Sequence, residues 1–348
     1  MVGRCSGVAE KLTIKEIAKL CGISVSTVSR AINNHYDINP ETKKKVQEVI
    51  DKYGYVPNNS ARNLKLNDSR NVAVLVKGIT NPFFTSMLKI FEAECSRHEY
   101  SLVLQHVEDQ ADEVDVAASL EKEKRLNGII FLGGNPMESR EKLSKIQAPY
   151  VFCSIAVSDK KAMEKYSYVA IDDRKEARKL VNYLIKAGRK RIAILSAVDT
   201  DESIGSLRLA GYCDALGTAG IAVDPSLIVR PDNPETTYTH ENGYEGIQKL
   251  LKSKTPFDAV FAISDSIAVG ATRALRDSGL RVPEDVAVAG FDGLDLTKYL
   301  VPSLTTLEQP VEKMAYESAT ALFDAIQDPE AEKHHVIYEG DLRVREST

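Results

Sequence analysis

Long apolar runs are missing from this sequence. No stretch of about eighteen apolar residues occurs anywhere in the 348, so no membrane-spanning helix is expected. The opening MVGRCSGVAEKL has no apolar core of signal-peptide length. Secretion is therefore not expected, and residues 1–12 read as a disordered lead-in. Paired cysteines are missing too. Cys5, Cys21, Cys95, Cys153 and Cys213 are scattered and odd in number, with no CxxC among them. That pattern points away from a disulfide or zinc framework and towards a reduced, cytoplasmic chain. Catalytic signatures are also absent: there is no GxGxxG, GxxxxGK[ST], GxSxG or HExxH. The six His are dispersed, and the adjacent His334 and His335 lack metal-ligand spacing. The expectation is a protein that is not an enzyme and carries no cofactor or metal.

What is present is unevenly charged. The net charge of −5 argues weakly against a nucleic-acid partner, but its distribution reverses the argument. Residues 1–66 hold eleven Lys/Arg against six Asp/Glu, and the remainder holds 34 against 44. A basic head on an acidic body suggests separate tasks for the two.

The head begins TIKEIAKLCGISVSTVSRAINN, Thr13 to Asn34. Thr13 followed by Glu16 is a capping box ahead of Ile14, Ile17, Ala18 and Cys21 at helical spacing. Gly22 suits a left-handed turn, and Ser24 can cap a second helix whose inner residues are Val28, Ala31 and Ile32. Val25, Ser26, Ser29, Arg30 and Asn33 are then left facing outward. This is a helix-turn-helix pattern. A third helix opens at Asn39-Pro40 and turns Val46, Val49, Ile50 and Tyr53 inward, with Lys43, Lys44 and Lys45 near its start. Beyond Gly54, the stretch from Asn58 to Leu66 holds two turns of marginal helix, which reads either as a flexible linker or as a helix that forms against DNA and a twin copy. An exposed Leu64 there is suited to wedging between base pairs in a minor groove.

From Thr13 to Leu64 the chain resembles the DNA-binding head and hinge of the lactose-repressor family (LacI/GalR type), nearly without gaps. The resemblance implies that Val25, Ser26 and Arg30 read base edges, Val25 by methyl contact and Arg30 by a bidentate fork to guanine. It implies phosphate contacts from Thr13, Thr27, Ser29, Asn33 and Thr42, backbone contacts from Tyr55 and Asn58, and hinge roles for Ala61 and for Leu64 as the wedge.

After residue 71, short apolar runs such as NVAVLV, NGIIFLGG, YVAID, RIAILSAV, FDAVFAIS and EDVAVAGFD alternate with amphipathic segments. Such alternation predicts parallel sheets covered on both faces, with ligands beyond the carboxyl ends of the strands. Asp172, Ser264, Asp265 and Asp292 all stand at strand ends. For each one alone, a turn or a helix cap is the commoner role; their repetition favours a shared cleft. Arg208 is the natural partner for hydroxyls or a carboxylate there, and Phe83 and Phe84 suit either core packing or ligand stacking.

NPFF, LRLAGY, SDSIAVGA, VPEDVAVAGFD and PSLTTLEQP also resemble the same family, in order. The fold class implied is α plus α/β: a helix-turn-helix head with a hinge helix, then a periplasmic-binding-protein-like core of two doubly wound parallel-sheet subdomains. The partition expected is 13–57 for the DNA-binding domain, 58–70 for the hinge and linker, 71–166 plus 302–330 for the first subdomain, and 167–301 plus 331–348 for the second. By position, Phe83, Phe84, Arg208, Ser264, Asp265 and Asp292 fall where the family holds its effector. Cys153 or Ser154 and Asp172 stand in second rank, and Tyr238 takes the place of a stacking aromatic. The resemblance implies a homodimeric, cytoplasmic repressor of catabolic genes that binds near-palindromic double-stranded operator DNA and answers to a small-molecule effector, most commonly a sugar. A nucleoside or purine effector, a protein co-regulator, and a plain solute-binding protein are the alternatives.

Overall fold

The computed structural model describes residues 13–32, 38–53, 70–108, 111–157, 160–197, 203–233 and 237–348. The chain divides into two compact units, one ending at residue 68 and one beginning at 69. In the first unit, α1 (Ile14–Cys21), α2 (Val25–Ile32) and α3 (Pro40–Tyr53) enclose a small core of Ile17, Ala18, Cys21, Val28, Ala31 and Val46. Val49 and Ile50 pack against that core as the spacing predicts. Tyr53 does not: it is 45% exposed, with the Lys52 ammonium 5.4 Å from its ring centre. The last turn of α3 thus runs past the core it was expected to line.

The second unit holds two six-stranded sheets. One is built from β1 (Asn71–Lys77), β2 (Ser101–Val107), β3 (Leu126–Leu132), β4 (Tyr150–Cys153), β5 (Ser167–Ile171) and β11 (His335–Tyr338), in the order β11-β5-β4-β3-β1-β2. The other is built from β6 (Ile192–Leu195), β7 (Ile228–Val229), β8 (Ala259–Ala262), β9 (Ala287–Asp292), β10 (Thr305–Glu308) and β12 (Asp341–Arg343), in the order β12-β10-β9-β8-β6-β7. All pairings are parallel except that of β10 with β12. Strand β1 shows why its sequence is apolar throughout. Val72, Val74 and Val76 enter one core cluster and Ala73 and Leu75 another, so both faces of the sheet are covered. No helix among the described residues is long and apolar enough to cross a membrane.

The strand pairing corrects the expected partition of the body. Residues 167–171 were expected to open the second subdomain, but β5 pairs with β4 in the first sheet, Cys153 opposite Val169. Residues 302–308 were expected in the first, but β10 pairs with β9, Thr305 opposite Ala289. Residues 335–338 were expected in the second, but β11 pairs with β5. The reason is that the crossings lie in short links without linker-like composition. The polar stretch before β5 resembles a linker yet joins two neighbouring strands of one sheet. The chain crosses between sheets after β5, after β10 and after β11.

In the second half, α6 (Asp173–Lys186) and α7 (Ile204–Thr218) pack closely, following α4 (Phe83–Arg97) and α5 (Glu113–Lys124) of the first half. Gly211 makes that closeness possible, since a Cβ there would overlap the carbonyl oxygen of Arg174 on the facing helix. Gly217 on the same helix has nothing within 4 Å of its would-be Cβ. Gly211→Ala is therefore expected to cost about 1–3 kcal/mol by overpacking. Gly217→Ala should be neutral or stabilising by up to about 1 kcal/mol through helix propensity. Urea unfolding of the two variants side by side checks the contrast, and equal effects would refute it.

Candidate functional site

In the first unit the local sequence fixes how α2 is presented. The backbone at Thr13 is extended, and Glu16 reaches back to accept from Thr13 N at 2.6 Å and Thr13 Oγ1 at 2.9 Å. Those bonds, the backbone one foremost, hold the Glu16 carboxyl below its usual range. Gly22 adopts φ 65°, ψ 31°, a left-handed conformation that costs glycine nothing. This lets Ile23 N donate to Ala18 O at 3.1 Å and close the end of α1. Ser24 Oγ then accepts from Thr27 N at 3.1 Å, starting α2 two residues after the turn.

With Val28 and Ala31 buried, the opposite side of α2 carries Ser26 and Arg30, both exposed, and the half-buried Thr27 and Ser29. Val25 differs from the expectation of an outward residue: it is half-buried and packs against the head core. Thr42 is half-buried in the first turn of α3, where Asn39 Oδ1 accepts from Glu41 N at 2.8 Å, and Lys44 and Lys45 are exposed nearby in sequence. The expectations for Asn33, Tyr55, Asn58, Ala61 and Leu64 fall outside the described residues.

In the second unit the carboxyl ends of the strands carry a buried ionic cluster. Arg208, on α7, is 3% exposed. Its Nε donates to Asp173 Oδ1 at 2.8 Å, and one terminal nitrogen donates to the Ile263 carbonyl at 2.5 Å and lies 3.5 Å from Asp292 Oδ1. The guanidinium carbon lies 3.7 Å from the centre of the Phe291 ring. Burial weighs against its charge, but Asp173 and Asp292 outweigh burial and hold its pKa above the usual arginine value. Asp173 sits above the usual carboxylate range because it is buried, with Arg208 pulling the other way.

Asp292 ends β9 with φ 115°, a left-handed value that an aspartate holds only under constraint. The constraint is visible: Gln309 N donates to its carbonyl at 3.1 Å and Gln309 Nε2 to its Oδ1 at 2.9 Å. The other carboxylate oxygen, Oδ2, is buried without a hydrogen-bond partner. Burial pushes the Asp292 pKa up to about 6, opposed by Arg208, Gln309 and Asn81. Tyr238 is half-buried, and its phenol is pushed up to about 12 by burial, with Arg208, Asp292 and Asp173 acting on it electrostatically. Arg208, Tyr238 and Asp292 are therefore brought together.

Asp265 belongs to the same region in a different capacity. It is fully buried at the start of α9 (Asp265–Asp277, after α8, His240–Ser253), and both its oxygens are used. Oδ1 accepts from Thr306 Oγ1 at 2.6 Å and Oδ2 from Leu294 N at 2.7 Å, so it fixes the turn after Asp292. Burial, then the Asp292 charge, pushes its pKa up to about 8. Ser264 is fully buried and caps α9 through Ile267 N at 3.3 Å. Asp172 is half-buried and caps α6 through Lys175 N at 3.0 Å. Phe83 and Phe84 are buried at the start of α4, edge to face at 5.4 Å. Ser154 is buried, with φ 53° and its N–H donating to Val169 O, and Cys153 lies fully buried beside it.

Three members of this cluster escape the sequence reading. Asp173, one place after the expected Asp172, is the carboxylate that meets Arg208, because Asp172 is committed to its helix. Gln309 and Phe291 give no composition signal, although both adjoin residues that do. Among the described residues no cluster of His, Cys, Asp and Glu is arranged to hold a metal ion.

Comparison with known proteins bears on both units. Residues 13–58 match the family described as bacterial regulatory proteins, lacI family, and residues 181–348 match the periplasmic binding protein-like domain. The HTH-type transcriptional regulator MalR of Clostridium butyricum is 42% identical over 338 residues, covering 97% of this chain and 99% of its own length. The solved transcriptional regulator CelR–cellobiose complex is 30% identical with a TM-score of 0.70, over 97% of this chain and 100% of that one. The lac repressor dimer bound to operator and the anti-inducer ONPF shares the fold, with a TM-score of 0.75 at 21% identity over 97% of this chain and 99% of that one.

The Asp265 carboxyl has a direct consequence for stability. Its pKa is raised in the folded chain, so between about pH 4 and about pH 8 the folded state holds a proton that the unfolded state has lost. That contribution is complete at low pH and disappears as pH rises through 8. Asp265→Asn, which keeps the shape of the protonated acid, is expected to lose less melting temperature than the wild type between pH 5 and pH 8. Parallel slopes for the two proteins would contradict this.

Proposed function

The chain belongs to the lacI family of bacterial regulatory proteins, and we propose that it is a cytoplasmic, non-catalytic repressor that binds a near-palindromic operator as a homodimer and responds to a neutral sugar. The observation that carries this reading is the pairing, in one chain, of an exposed Ser26–Arg30 face on a glycine-turned helix with a strand-end cluster holding an unpartnered carboxylate oxygen.

For the DNA, Ser26 and Arg30 stand one turn apart on the exposed side of α2, the spacing that reaches successive base edges in a major groove. Arg30 supplies a bidentate fork to guanine, and Ser26 a short donor or acceptor. Val25, being partly committed to the head core, contributes a methyl contact at most. Thr13, Thr27, Ser29 and Thr42 hold phosphates, with Lys44 and Lys45 adding sequence-independent attraction. Asn33, Tyr55, Asn58, Ala61 and Leu64 complete that interface on the resemblance alone. A second copy supplies the other half-site. Apolar surface suited to such a contact exists in the body: Tyr299 is 76% and Val301 79% exposed, with Leu296 in the same 3-10 helix as Tyr299.

For the effector, Arg208 offers donors and Asp292 offers Oδ2 as an acceptor, while Tyr238 offers a ring face. Such a mixture suits hydroxyls on an apolar ring, and the similarity to a cellobiose-bound regulator points the same way. The excess of carboxylates around the single arginine disfavours an anion in this cleft. Asp265 and Ser264 then act by holding the cleft's shape, and Phe83, Phe84, Ser154 and Asp172 form its support. A ligand hydroxyl on Asp292 bears on a residue tied to Gln309, at a crossing between the sheets. Favouring one arrangement of the halves in this way would change operator affinity, with reciprocal coupling.

Two outcomes test the reading. Arg30→Ala is expected to abolish preference for the operator selected by the wild type while leaving salt-sensitive binding to any duplex, as read by titration against selected and scrambled DNA. Retained preference would remove Arg30 from base reading. In a thermal-shift screen of sugars, a sugar should raise the wild-type melting temperature and fail to raise that of Asp292→Ala. A blank from every sugar, or an equal shift in both proteins, would displace the effector site from this cleft.

A further inference from the structure

The first sheet has a second rim, at the amino ends of its strands. Its neighbouring parallel strands β11, β5, β4 and β3 begin on one side, and the residues just ahead of or near those beginnings line a half-open recess of about 420 Å³. Asn127 is the second residue of β3, Pro149 and Tyr150 lead into β4, Lys165 and Tyr166 precede β5, and Lys333 precedes β11. The end of α10 (Val311–Gln327) closes it through Ala325 and Ile326. The volume lies in the range that holds a small metabolite.

The lining is one-sided in its chemistry. It includes two lysines and two tyrosines and no aspartate or glutamate. Neither Lys165 nor Lys333 forms an ion pair among the described residues, although Glu164 and Glu332 are their sequence neighbours. Three other acids, Glu317, Asp324 and Glu121, are occupied elsewhere. Glu317 and Asp324 of α10 lie 2.8 Å and 3.4 Å from the His334 ring nitrogens. Glu121 accepts from Gln147 N at 2.9 Å and Ala148 N at 2.6 Å. The aromatic wall is packed among other rings. Tyr150 packs within 6.0 Å of Phe131, Phe152 and Tyr166, and burial raises its phenol pKa, so it remains a neutral donor.

The geometry points to a second ligand site in this cavity, which takes a small anionic metabolite, its phosphate or carboxylate between Lys165 and Lys333 and its body against Tyr150 and Tyr166. Two ammonium groups without carboxylate partners supply the attraction, and the recess is of a size for a small molecule. The site is independent of the strand-end cluster, whose excess of carboxylates disfavours an anion.

The test titrates the full-length protein calorimetrically with glucose 6-phosphate, gluconate and glucose, at about 0.15 M salt so that loose surface attraction is screened. At least one of the two anions is expected to bind saturably, and the double variant Lys165→Met, Lys333→Met to bind it at least about tenfold more weakly. Both lysines are exposed, so the double variant should keep the wild-type melting temperature. Binding of glucose 6-phosphate alone assigns a phosphate, and binding of gluconate alone a carboxylate. Glucose distinguishes the two sites: heat from it belongs to the strand-end cleft and survives the lysine changes. The proposal is overturned if neither anion binds below about 10 mM, or if anion binding is unaltered in the double variant.

Discussion

A guanidinium withdrawn from water has to be surrounded by compensating groups, and much of the body follows from that requirement at Arg208. Its partners come from the start of α6, the end of β8, and the end of β9, with the Phe291 ring beneath it. Asp173, Ile263 and Asp292 come from three separate stretches of chain, so the cluster can assemble only when the second sheet has its native order. Asp292 extends the arrangement to Gln309 and thus to a crossing between the sheets. Removing one partner would leave a buried charge uncompensated, which is far costlier than losing a surface pair. The surplus of carboxylates is accommodated by raised pKa values at Asp265 and Asp292.

Much of the head was legible because its signals are local. Thr13 with Glu16, the Gly22 turn, and Asn39 ahead of Pro40 each act within four residues, and each is found doing so. Tyr53 misled because helical periodicity continues past the point where the neighbouring helices end. The two-sheet body was legible from its apolar runs, since strands buried on both faces admit few polar residues. The crossings between sheets were not, because strand pairing is a tertiary choice and an edge accepts whichever run reaches it. Composition located a boundary at the polar stretch before β5, where no crossing occurs.

The cleft was readable to within one residue and one role. Asp172 and Asp173 are adjacent acids after the same strand, and which of them caps the helix decides which is left for Arg208. Asp265 was identified as a strand-end carboxylate, but only its hydrogen bonds to Thr306 and Leu294 reveal that it shapes the cleft from behind. Residues that act by supporting others carry no signature of their own in a single sequence.

The interleaving of the two sheets has a consequence for synthesis. Strand β5 is flanked by β4 on one side and β11 on the other, and Ser167 and His334, which join at that seam, lie 167 residues apart. On a ribosome adding roughly 5–20 residues per second, the β5 edge waits on the order of 10–30 s for its partner. Throughout that interval one edge of an apolar strand stands unpaired, the condition in which strands recruit wrong neighbours. The nascent chain therefore carries an open edge on the first sheet from the synthesis of β5 until that of β11.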